Sequence, residues 1–361
     1  MTRCSLTAVV GSLILVCGLA PSAEAYRDYF SEAQKKELGK IQKVFVETLA
    51  LTDKGPGNAD GIRDVVIRRM GELGYSATTD STFPHDVVVR VKCEQRKTWE
   101  GTASAGGDND LLDAPSRLWK GPACQITYAL GGMKIKWQKE VRTEFEDAGQ
   151  AAQTAHAADP GLYAMNALRD ALEKYEFPLL LTAEWGQPDR LLKLMESPDT
   201  SQFRKLKIIS LLGEMVADEA LPQLTEALKD KDLARQAAVA LGNMGQEGIP
   251  VLIDILKNSK QPDLQAAAAK GLGDLGNIHS DSRVVPPLLE MLDAPGIDIV
   301  VQTEIAWALG RVPDRRSVEP LFALDRKLQK IRKDPPDPQI KKLKEAVFWS
   351  IKQVYTEDQY S

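Results

Sequence analysis

The sequence has little of what many metalloenzymes and hydrolases require. Its 361 residues include only three histidines, namely His85, His156 and His279. It contains no G-x-S-x-G nucleophile turn, no Walker A loop, no H-E-x-x-H zinc motif and no EF-hand calcium loop. These absences predict a protein with no catalytic residue set, no bound metal and no cofactor.

Charge of one sign and long apolar runs are also scarce. The net charge of -5 is mild and gives no sign of a nucleic-acid partner. Beyond the first residues no apolar stretch is long enough to predict a membrane-spanning helix.

The N-terminus has the features of a targeting segment. Arg3, the apolar run 6–16 and the small-residue site 23–25 predict a cleaved secretory signal peptide over residues 1–25. The alternative is a lipoprotein modified at Cys17. Such sites require a small residue just before the cysteine, and the preceding residue here is not small. A cleaved signal predicts a periplasmic or secreted protein.

Two cysteines, Cys93 and Cys124, remain once residues 1–25 are removed. Both are on apolar faces of predicted strands that are expected to be neighbours. In an oxidising compartment an even number of cysteines favours a disulfide. The alternative is a pair of free, buried thiols.

The mature chain divides near Trp185. Residues 26–184 mix helical and strand patterns and predict a small α+β domain, whereas residues 185–361 have helical patterns throughout. The first part predicts helices at 31–51, 60–73 and 161–175, a strand in HDVVVRVKCEQ, and a hairpin of ACQITYAL and MKIKWQKEV around Gly131–Gly132. The Gly/Ser/Asp-rich residues 100–121 are either a mobile functional loop or a tolerated insertion.

Leu-Gly motifs recur in the second part of the chain. Their glycines, at intervals of 29, 31 and 37 residues, are Gly213, Gly242, Gly273 and Gly310. Helix starts of the Pro-x-L type lie between them, and the fifth, degenerate copy has Lys352 in the glycine place. Such a period predicts an α-solenoid of about five helix pairs, because a single pair cannot bury its apolar face alone.

These Leu-Gly motifs, the Pro-x-L starts and the segment KDKDLARQAAVALGNMG resemble HEAT-repeat proteins of the phycobilisome-lyase type. The resemblance implies that the second helix of each pair lines a concave binding face. The first part, with GELGY, HDVVVRV and ALGGMKIKWQKEV, loosely resembles α+β domains of bacterial envelope proteins. Among HEAT-repeat enzymes, deoxyhypusine hydroxylases bind two irons through repeated His-Glu pairs, which this sequence lacks.

Two rows of residues follow from alignment on the glycines. Three places before the glycine stand Ser210, Val239, Lys270, Trp307 and Trp349, and one place after it stand Glu214, Asn243, Asp274, Arg311 and Gln353. We expect Trp307 and Trp349 to anchor a protein partner, since tryptophan is enriched in binding hot spots. The alternative is that both tryptophans pack inside the terminal repeat. Polar specificity is assigned to Arg235, Lys270, Glu214, Asp274 and Arg311.

The segment 326–344 contains eight basic and two acidic residues. It predicts either a solvated helix pair or a contact with anionic lipid headgroups or an acidic partner. The sequence as a whole predicts a non-enzymatic, exported scaffold or adaptor. The alternatives are an accessory subunit of an envelope enzyme and a structural protein associated with a membrane surface.

Overall fold

The computed structural model describes residues 30–102, 116–331 and 337–358. The predicted signal peptide, the centre of the 100–121 segment and residues 332–336 of the basic segment therefore lie outside the described residues. Within the described ranges, no helix has the length and apolar character needed to cross a bilayer.

A helix-backed sheet forms the N-terminal domain. Its elements are α1 (Glu32–Leu38), β1 (Lys43–Thr52), β2 (Gly55–Pro56), α2 (Asp60–Glu72), β3 (Ser76–Thr78), β4 (Val87–Thr102), β5 (Ser116–Leu130), β6 (Met133–Arg142), α3 (Ala148–Thr154), α4 (Pro160–Lys174) and α5 (Phe177–Glu184). The sheet order is β2-β1-β4-β5-β6, and β3 pairs with β1. Helices α2 and α4 pack against one another and against the buried face of the sheet.

The predicted helix over 31–51 is wrong beyond its first turns. Helix α1 ends at Leu38, and the chain continues as strand β1, which pairs in parallel with β4. Val44, Val46 and Ala50 are buried at intervals of two or four residues, so the segment fits a strand period as well as a helical one. The segment forms a strand because it pairs with β4, and a local sequence pattern does not show that pairing.

The remaining elements of the predicted domain are confirmed. The helices predicted at 60–73 and 161–175 correspond to α2 and α4, and Gly131–Gly132 turn the β5–β6 hairpin with positive φ angles of 54° and 82°. Strands β4 and β5 extend into the 100–121 segment from both sides. Cys93 and Cys124 lie opposite one another on β4 and β5 and form the predicted disulfide.

Over the part of the chain that the structure describes, five helix pairs form the C-terminal domain. The first helices are α6 (Pro188–Glu196), α8 (Leu221–Ala227), α10 (Gly248–Asn258), α12 (Val285–Leu292) and α14 (Val318–Gln329). The second helices are α7 (Gln202–Glu214), α9 (Ala234–Asn243), α11 (Pro262–His279), α13 (Ile299–Arg311) and α15 (Pro338–Asp358). The solenoid prediction is confirmed, including the position of the last pair.

The Leu-Gly motifs mark the places where successive second helices touch. A Cβ atom added to Gly213 would lie 2.7 Å from the Cα of Ala240, and one added to Gly242 would lie 2.6 Å from the Cα of Gly271. Contacts between successive first helices are sparser. Because the second helices are the more closely spaced layer, they form the concave side of the stack.

The two domains share a continuous core. Trp185, the residue at the predicted boundary, is buried and makes edge-on contacts with the rings of Tyr75 and Tyr128. The amide nitrogen of Gln187 donates to the carbonyl oxygens of Leu38 (2.9 Å) and Ile41 (3.1 Å). The first helix pair of the solenoid is therefore held in place by contacts with the N-terminal domain.

An ion-pair network reinforces this junction. Arg69 of α2 contacts Glu72 and Glu176, each at 2.8 Å. Arg204 of α7 contacts the same two carboxylates at 3.1 and 3.2 Å. Two cations and two anions from three separate segments thus join the first repeat to the sheet domain.

Candidate functional site: a groove on the second helices

A groove crosses the concave layer from α7 to α13. It contains two adjoining cavities, one of about 460 Å³ between α7, α9 and α11 and one of about 200 Å³ between α9, α11 and α13. The depth arises because Val239, Ala266 and Ala267 are short at its centre, whereas longer side chains stand on either side.

Arg235 and Lys270 line both cavities. Arg235 lies on α9 and Lys270 on α11, and both are exposed. Among the described residues neither cation forms a salt bridge, whereas Arg204 on α7 and Arg311 on α13 both do. A cation without a carboxylate partner in a concave site is available to a ligand.

Carboxylates, including Asp232 in the larger cavity, line the same site without forming a salt bridge to either cation. Glu214 lines the larger cavity, where its carboxylate accepts a hydrogen bond from Ser210 at 2.9 Å. Asp263 and Glu304 line the smaller cavity. The groove is therefore a mixed-charge surface with a cationic centre, rather than a uniformly basic channel.

Trp307 and Trp349 lie beyond the groove, on the last two second helices. Their ring centroids are 5.1 Å apart, with the planes inclined by 51°. Both side chains are half-buried, and the Trp349 ring lies against Gly310. The sequence left open whether the two tryptophans are exposed for a partner or packed inside the last repeat. The structure shows an intermediate state, because they pack between α13 and α15 and each keeps part of its surface accessible.

Asp274 and Arg311 face one another across α11 and α13, with Oδ1 and Nη1 3.4 Å apart. Burial raises the pKa of Asp274, and the neighbouring Arg311 and Lys270 only partly offset this effect. This pair lies one turn away from the cavities, so the structure brings Arg235, Lys270 and Glu214 together but leaves Asp274 and Arg311 outside the lining.

Several residues that line the groove are not among those predicted from the sequence. They lie six to ten places before the glycines and are Leu206, Gln236, Asp263, Ala266, Ala267, Val300 and Glu304. Their signal is the helical period itself. One helical turn of three or four residues before the row that contains Lys270 reaches five of them, and two turns reach Asp263 and Val300.

A third cavity, of about 490 Å³, lies in the N-terminal domain where the β4 strand is bulged beside the start of α3. Its lining contains three cations, of which Lys120 has no salt bridge among the described residues and the other two are paired. Arg96 pairs with Asp53 at 2.9 Å and Lys97 pairs with Glu140 at 3.0 Å. No group of three or more metal-binding side chains occurs within the described residues. The solenoid groove is the better candidate site, because it crosses four second helices, whereas two of the three cations of the N-terminal cavity are already paired.

Comparison with known proteins supports the architecture. Residues 188–273 and 249–334 match the sequence family described as HEAT repeats. The C-terminal domain is a HEAT-repeat solenoid. The family match ends before α15, the helix of the degenerate last repeat. No curated protein sequence matches the chain.

One solved structure, human deoxyhypusine hydroxylase in complex with glycerol, is similar over 58% of this chain and 90% of that chain. The sequence identity is 14% and the TM-score is 0.27. A superposition this weak supports no functional conclusion.

Proposed function

We propose that this protein is a non-enzymatic, exported adaptor that binds a protein segment in the groove of its HEAT-repeat solenoid. The observation that carries the proposal is the pair Arg235 and Lys270. Both cations line one concave site and neither forms a salt bridge among the described residues, although Lys270 lies near enough to Asp274 to act on its pKa.

The groove suits an extended segment better than a small molecule. It spans four second helices, is lined by both charge signs, and is open along its length. Acidic side chains of a partner would meet Arg235 and Lys270, while its basic side chains would meet the flanking carboxylates. The accessible edge of Trp307 and Trp349 adds an aromatic contact at the end of the groove.

The non-enzymatic part of the proposal rests on the sequence. Its solenoid half has a single histidine, His279, and therefore lacks the repeated His-Glu pairs of a di-iron hydroxylase. The resemblance to the phycobilisome-lyase type stays a prediction about the repeat alone, since a lyase also needs a bilin-carrying partner.

Export is supported by the Cys93–Cys124 disulfide, since such bonds persist in oxidising compartments. N-terminal sequencing of protein from the periplasmic or secreted fraction tests this directly. We expect the mature chain to begin at Tyr26. Recovery of the intact N-terminus in the cytoplasm would contradict export.

Site-specific photocrosslinking in cells tests the groove. A photoreactive amino acid at Val239, on the groove floor, should give a discrete crosslinked species, and one at Asp254, on the exposed side of α10, should not. Arg235→Glu/Lys270→Glu should lower the yield by roughly tenfold. Lys231→Glu/Lys260→Glu is the matched control, because both of these lysines are exposed outside the groove.

Equal crosslinking from both positions, or an unchanged yield in the groove variant, would reject this site. Trp307→Ala/Trp349→Ala asks whether the partner extends to the aromatic pair. Identification of the crosslinked species as an enzyme would convert the adaptor proposal into its alternative, an accessory subunit.

A further inference from the structure

The outward face of the last helix, α15, carries a stripe of basic and aromatic side chains. Its members are Lys341, Lys344, Phe348, Lys352 and Tyr355, and we call them the terminal stripe. At 3.6 residues per turn they lie within about 100° of one another around the helix. Phe348 is 61% exposed and Tyr355 is 50% exposed. The opposite side of α15 is buried against the solenoid.

The terminal stripe occupies the face that, in earlier repeats, receives the next second helix. On α13 this contact is made by Ala306 and Gly310, which lie against Ser350 of α15. Alignment on the glycine places Phe348 and Lys352 of α15 at these two positions. The small residues that allow helices to touch are thus replaced by two bulky ones.

This replacement argues against another helix as the occupant of the stripe. A helix could not approach α15 as α15 approaches α13, because Phe348 and Lys352 project from the surface. The Lys352 ammonium lies 4.7 Å from the centre of the Phe348 ring, so the two side chains support one another in that position. The stripe is therefore an exposed surface with protruding aromatic side chains.

The charge of the stripe is positive. Lys341 lies 4.0 Å from Glu345, whereas Lys344 and Lys352 form no ion pair with any carboxylate among the described residues. Exposed Lys342 adds a further cation at the flank of the stripe. Lysines beside protruding phenylalanine and tyrosine rings match the interface of an anionic bilayer, where phosphates meet the cations and the rings enter the headgroup layer.

We propose that the terminal stripe docks the end of the solenoid on an anionic lipid surface. The proposed membrane contact is one face of α15 rather than the whole of the basic segment 326–344. It is independent of the adaptor proposal, because the cavities of the groove lie between α7 and α13. Docking through α15 would leave the groove free to bind its own partner.

Sedimentation of the full chain with lipid vesicles tests the proposal. We expect binding to vesicles that mix phosphatidylglycerol with phosphatidylcholine, little binding to phosphatidylcholine alone, and weaker binding as salt is raised. Lys344→Ala/Lys352→Ala should lower the partition coefficient by roughly tenfold. Phe348→Ala/Tyr355→Ala should lower it severalfold and leave its salt dependence in place.

Matched controls separate a local effect from a general one. Phe203→Ala removes a 69% exposed aromatic on α7, and Lys231→Ala/Lys260→Ala removes two exposed lysines elsewhere. Both should bind as the wild type does, and thermal melts should show every variant folded.

Equal binding to the two vesicle types, no binding to either, or equal loss in the controls would overturn the proposal. If the wild type ignores vesicles but binds polyglutamate through Lys344 and Lys352, the stripe is a site for an acidic protein instead.

Discussion

The N-terminal domain and the solenoid keep their shapes by different means. The sheet domain depends on contacts between residues far apart in sequence, such as the parallel pairing of β1 with β4 and the Cys93–Cys124 bond. The solenoid depends on one contact made repeatedly, in which a glycine of one second helix meets the backbone of the next. Substitutions should therefore lower the free energy of unfolding by different mechanisms in the two regions.

The largest effect is expected from Gly242→Val in the solenoid. Its Cβ would lie 2.6 Å from the Cα of Gly271, and backbone cannot move aside as a flexible side chain can. We expect a loss of about 4 kcal/mol or more in the free energy of unfolding, measured by urea denaturation.

Gly71→Ala is the control for this glycine, since a Cβ there would meet no atom within 4 Å. It should be neutral or stabilising, as alanine is the better helix former. A Gly242→Val variant of wild-type stability would mean that the second helices separate easily, and the contrast between the regions would fail.

Removal of the disulfide should have the next largest effect. Cys93→Ala/Cys124→Ala opens a closure between residues separated by 31 positions, which corresponds to about 3–4 kcal/mol on the chain-entropy description. Urea denaturation with and without reductant measures it. Reductant should lower the stability of the wild type to that of the variant and leave the variant unchanged. Equal stability of both proteins without reductant would show that strand pairing alone fixes this region.

The same contrast explains how much the sequence could predict. The Leu-Gly period predicts the solenoid because each repeat contains the glycine that contacts the next repeat. The helix predicted over 31–51 is wrong because Val44 and Val46 belong to a strand only when β4 lies beside them. For the groove, the row at Val239 and Lys270 was predictable from the repeat, whereas the absence of a salt bridge to Arg235 among the described residues depends on how the helices pack, which no sequence pattern fixes.

A smaller effect is expected at the junction, from Tyr75→Phe. The Tyr75 hydroxyl is hydrogen-bonded with Thr182 (3.0 Å) and Gln187 (3.2 Å), and its loss should cost about 1 kcal/mol at neutral pH. Burial raises the pKa of Tyr75 to about 12, against the opposing effects of Thr182 and Arg190. The stabilisation linked to this shift is complete below about pH 10 and is lost as the pH rises through about 12.

Urea denaturation across that range should therefore show the wild type losing more stability than Tyr75→Phe. Tyr355→Phe, at an exposed tyrosine, controls for the titration of other groups, which affects all variants alike. Parallel pH profiles for the wild type and Tyr75→Phe would mean that the junction opens before Tyr75 ionises. The two domains would then be less firmly docked than their shared core indicates.

The smallest effect is expected from Asp274→Asn, which tests the pH dependence of stability at a site in the solenoid. Because burial raises the pKa of Asp274, the folded state favours its protonated form. That contribution is present below the unfolded pKa of about 3.9 and is lost as the pH rises through the folded value. The stability of Asp274→Asn relative to the wild type should therefore increase between acid and neutral pH, by less than about 1 kcal/mol. If the wild type gains instead, its ion pair with Arg311 outweighs the burial of Asp274, and a single charged contact between second helices contributes to the stability of the solenoid beside the repeated glycine contact.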